Sequence, residues 1–134
     1  MSPLRRRRLP EDLKAPQRAF VAMLGEVERA KAALTDVMPT TRLPGRPLPD
    51  ALWEFEDHLA RAHVLMPTWR VPQTQAVWSA CEAGVVEARE RARRLREEAP
   101  DLGGFEGLIW AVEQLMDPLA VFEGAVQRFD ELRV

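Results

Sequence analysis

The stretch Gly104–Met116, "GFEGLIWAVEQLM", decides how the chain is read. Phe105, Leu108, Val112 and Leu115 recur three and four residues apart, the period of one buried helical stripe. Trp110 falls off that stripe, so the largest apolar side chain is assigned to the face that water should own. The same period continues through Leu119, Phe122, Val126 and Phe129 without slipping at Pro118. This favours one kinked helix from about Leu102 or Gly104 to Leu132. The alternative is a second helix capped by Asp117 with Pro118 in its first turn.

Three earlier segments carry the same period. Phe20, Met23, Val27, Ala30, Leu34 and Val37 define a helix over about Pro16–Val37, with Pro16 placed early, where its missing N–H costs least. Leu52, Phe55, Leu59, Ala62 and Met66 define one over about Asp50–Met66, with Asp50 as its expected cap. Trp78, Cys81, Val85, Ala88, Ala92 and Leu95 define one from Pro72 or Thr74 to Glu98. In this last helix Glu87–Arg91 and Glu90–Arg94 are spaced to pair, and Ala88 and Ala92 permit close helix approach. The segment Pro39–Pro49 holds four prolines and reads as a stiff crossing loop. No strand pattern competes. The expectation is an all-α chain, a single four-helix bundle with a kinked fourth helix, for which an up-and-down path is simplest. Residues 1–10 read as a flexible basic tail and 11–134 as the bundle domain.

Composition narrows function by exclusion. At 134 residues and 46% hydrophobic, the chain can build one domain core. No apolar run approaches the roughly 20 residues that cross a bilayer, and the arginines near the start are followed by "EDLK" instead of an apolar stretch. A cytoplasmic location is expected on that basis. Net charge is -2, with 19 basic and 21 acidic side chains. Setting aside Arg5, Arg6, Arg7 and Arg8 leaves a mildly acidic body, a poor general surface for nucleic acid. Those four arginines are the candidate anion-binding residues, for phosphates of nucleic acid or of a membrane surface.

Motifs for chemistry are sparse. His58 and His63 are the only histidines. They lie five apart and diverge on a helix, with Glu54 sharing the flank of His58 and Glu56 that of His63. A ligand or metal site is assigned at most to Glu54, His58, His63 and the loop residue Trp69, with help from another helix. No metal or cofactor is expected. Cys81 lies on a core stripe and reads as an inert thiol. "DLGGFEG" matches no phosphate-binding loop.

The off-stripe residues give the leading functional expectation. Trp53, Val64, Trp110 and Val121 are assigned to a second apolar face that buries against a like subunit or another helical protein, as in a homodimer. Competing accounts cover Trp53 with the proline-rich loop and Trp110 with the segment around Leu9 and Leu13. A small-molecule-binding or enzymatic bundle and a nucleic-acid accessory role through the arginine tail are the alternatives in other classes.

Overall fold

Each helix-period stripe becomes one packed helical layer. The computed structural model describes residues 7–40 and 42–134, so Arg5 and Arg6 lie outside the described residues. The chain runs α1 (Glu11–Thr35), α2 (Leu48–Leu65), α3 (Gln75–Glu98), α4 (Phe105–Met116) and α5 (Phe122–Glu131). Two 3-10 turns, Met66–Trp69 and Pro72–Thr74, join α2 to α3, and a third, Asp117–Val121, joins α4 to α5. Together α4 and α5 form the fourth member of an up-and-down four-helix bundle.

The stripes of α1, α2 and α3 are buried almost as spaced, from Phe20 to Leu34, Leu52 to Met66 and Trp78 to Ala92. The helix starts differ from the sequence reading. α1 begins at Glu11, because Glu11 and Asp12 place carboxylates beside the free N–H groups of its first turn. Pro16 therefore sits inside the helix, where it cannot donate to the carbonyl of Asp12. α2 begins at Leu48, with Pro47 in the cap position and Pro49 in the first turn, where a proline loses no hydrogen bond. Asp50 is consequently a first-turn residue and makes no side-chain cap bond.

The fourth layer contains the main departure. Phe105 and Val126, both expected in the core, are 55% and 47% exposed, while Ala125 is fully buried. For Val126 the cause is the 3-10 turn around Pro118; Phe105 lies before that turn, as the first residue of α4. Five residues at about 120° each, against about 100° in an α-helix, advance the buried face by roughly one residue. The core sequence becomes Leu115, Leu119, Phe122, Ala125 and Phe129.

Loops and ends close the bundle. Trp69 stacks edge-on against Phe20 at 4.8 Å, and Phe20 lies over Phe129 at 5.0 Å. Trp78 Nε1 donates to the Met66 carbonyl at 2.7 Å, tying α3 to the turn after α2. At the same end the backbones of Arg8 and Val134 exchange hydrogen bonds of 3.0 and 2.9 Å, and Leu9 and Leu13 are buried. At the opposite end Gly45 lies so close to the Val37 carbonyl that a Cβ would overlap it, which lets the loop fold back onto α1.

Candidate functional site

Two thirds of the residues of α4 are apolar, yet the helix is poorly buried. Of Phe105, Leu108, Ile109, Trp110, Ala111, Val112, Leu115 and Met116, only Ala111, Val112 and Leu115 are core residues. Its position follows from the turn before it. α3 ends at Ala99 in the left-handed region, φ 41°, with its N–H bonded to the Leu95 carbonyl. Gly103 and Gly104 then take φ 73° and 126°, values that side chains disfavour. Asp101 Oδ1 accepts the Gly103 N–H at 2.9 Å. The chain folds back so tightly that the backbone of Leu102 fills the space a Cβ on Gly107 would need.

This geometry leaves a groove of about 630 Å³ between the C-terminal half of α3 and α4. Trp110, 56% exposed, forms one wall, and Leu95, Ala111 and Leu115 contribute apolar floor. On the α3 side Arg91 bonds Glu87 at 2.9 Å and the Gln114 carbonyl at 2.8 Å, while Arg94 bonds Glu90 at 3.2 Å. A smaller recess of about 190 Å³ shares Leu95, Pro100 and Leu102 with the groove and reaches Leu48 and Leu52 of α2. The electrostatics are one-sided. From Glu97 to Gln127 there is no Lys, Arg or His. Glu97 pairs with Arg93 at 2.6 Å, but among the described residues Glu98, Asp101, Glu106, Glu113, Asp117 and Glu123 form no ion pair. Glu106 and Glu113 lie one helical turn either side of Trp110 and are exposed, as it is.

The four residues assigned to a second apolar face do not share one patch. Trp53 is 60% exposed, but the Arg96 guanidinium lies 4.1 Å over its ring, and Arg96 also bonds Glu56 at 2.8 and 3.2 Å. Val64 is exposed on the same helix. Trp110 lies on the other flank of α3, beside Arg91 and Arg94. Val121 is half-buried and packs onto α3 at Gly84, because the 3-10 turn rotates it inward. The segment around Leu9 and Leu13 is buried in the core and leaves Trp110 exposed.

The residues assigned to a ligand or metal also separate. His58 Nδ1 lies 2.7 Å from Glu26 of α1, and its Nε2 lies 3.5 Å from Glu54. Glu54 is also bonded by Arg46 from the proline-rich loop. His63 faces α3 instead, with Nδ1 3.2 Å from Arg89 and Nε2 4.0 Å from Glu82. Among the described residues no three His, Cys, Asp or Glu side chains converge on a metal position. Trp69 lines no open site: it is fully buried where the turn after α2 closes the bundle end, and its Nε1 finds no acceptor among the described residues. Burial pushes the Cys81 thiol up to about 12, and it lies 3.8 Å from the Val121 carbonyl. Arg7 and Arg8 are exposed.

Sequence spacing finds Glu54 with His58 but misses Glu26, Arg46, Arg89 and Arg96, whose partners come from other elements. It also misses the acidic strip, which is readable as a run without basic residues once α4 is known to lie on the surface. No family model, curated protein or solved structure matches this chain, so its function is argued from this geometry.

Proposed function

We propose that this chain is a non-catalytic helical interaction protein whose contact surface is α4 with the adjoining face of α3. The observation that carries this reading is the mismatch between the composition and burial of α4. A helix apolar around most of its circumference is normally enclosed, and here Phe105 and Trp110 are both more than half exposed. Exposed aromatics beside an open groove suit a partner helix, of a second copy or of a different protein. Trp53 is a weaker contact residue, since Arg96 already covers its ring.

The test is the double replacement Phe105→Gln, Trp110→Gln. If these side chains are held for contact, the variant still unfolds cooperatively and loses binding of an apolar reporter dye. Roughly half of each ring is buried within the chain, so a loss of about 2–4 kcal/mol is expected from area alone. A variant that no longer folds cooperatively assigns the two aromatics to the bundle's own stability and overturns the reading.

A further inference from the structure

We infer that the occupant of the α3–α4 groove is a basic amphipathic helix from another protein. This rests on α4 being a contact surface, and it adds the chemistry of the partner. The two cations of the groove, Arg91 and Arg94, are already bonded to Glu87 and Glu90 of their own helix. The carboxylates around it are not so engaged. Glu98 and Asp101 line its far end, and Glu106 and Glu113 flank Trp110 on α4 just outside the groove, none of them ion-paired among the described residues. An apolar floor with an aromatic wall, and unpaired carboxylates at its far end and just beyond that wall, is complementary to a helix carrying an apolar stripe flanked by Lys or Arg. From Glu87 to Glu98 the groove follows α3 for about 17 Å, room for about three turns of a partner. A second copy presenting its own α4 would bring the same strip of carboxylates against this one, and like charges across an interface oppose association.

The probe is a synthetic Leu/Lys amphipathic helix of about 14 residues, about four turns, with a Leu/Glu peptide of the same pattern as control. Titration calorimetry of the full chain is expected to show saturable, salt-sensitive binding of the Leu/Lys peptide only. Trp110→Ala should weaken it about tenfold or more. The isosteric pair Glu106→Gln, Glu113→Gln, which alters charge without removing any packed atom, should also weaken it clearly. Circular dichroism checks that each variant is folded; if Trp110→Ala is not, Trp110→Leu replaces it. Absence of binding, equal binding of the Leu/Glu peptide, or affinity unchanged in both folded variants overturns the assignment. So does a stable dimer at low salt, measured by light scattering, that excludes the peptide, since it gives the groove to a second copy. In all these cases a cooperatively folded Phe105→Gln, Trp110→Gln variant leaves α4 standing as a contact surface, so the two ideas fail separately.

Discussion

His58 shows how a side chain that looks catalytic in the sequence is consumed by structure. Each of its ring nitrogens faces a carboxylate, Glu26 at 2.7 Å and Glu54 at 3.5 Å, so α1 and α2 are bridged and no nitrogen is turned toward an open site. The hydrogen bond from His58, then the nearby Arg29 charge, hold Glu26 below its ordinary 4.5. Arg46 does the same for Glu54. With folded-state values lowered, the unfolded chain binds more protons at these sites than the folded one as pH falls. Their contribution to stability is therefore complete above about 4.5 and is lost as pH drops through the folded-state values. Urea unfolding at a series of pH values checks this. The stability gap between the wild type and Glu26→Gln should narrow steadily below pH 4.5, and a gap independent of pH would contradict it.

At the scale of the helix, the α4–α5 joint explains most of what the spacing of apolar residues misplaces. The joint needs a close approach as well as a rotation. Gly84 of α3 lies directly beneath Pro118 and Val121, and a Cβ there would overlap the Pro118 carbonyl. Glycine inside a helix ordinarily weakens it, so Ala at this position would gain about 1 kcal/mol from propensity alone. Contact with backbone cannot be relieved by a rotamer change, so steric overlap wins. Gly84→Ala should lower stability by about 2 kcal/mol or more, read as a shift in the denaturant midpoint. Gly124 has open space where a Cβ would sit and provides the control, where Ala should be neutral or stabilising.

At the scale of the molecule, the ends of the described chain are part of the bundle's closure. Leu9 is buried, and Arg8 and Val134 are joined backbone to backbone beside the Trp69 cluster. Leu9→Ala should therefore cost about 2 kcal/mol or more, as for a core leucine, whereas a side chain in a solvated tail would cost almost nothing. Thermal unfolding distinguishes the two. The sequence by itself determined the helical class, the number of layers and the stripes of α1, α2 and α3, because periodicity is local and each stripe is repeated over several turns. It also identified Trp110 as out of place, since a single off-stripe residue is visible in one helix. Only the tertiary structure decided that Phe105 and Val126 leave the core, that Val121 packs half-buried against it, and that Trp53 and Trp110 lie on opposite flanks of α3. Those outcomes depend on a local change of helical pitch at Pro118 and on the rotation of each helix against its neighbours. Helix rotation is set by contacts such as Gly84 with Pro118 and Arg96 with Trp53, between residues far apart in the chain.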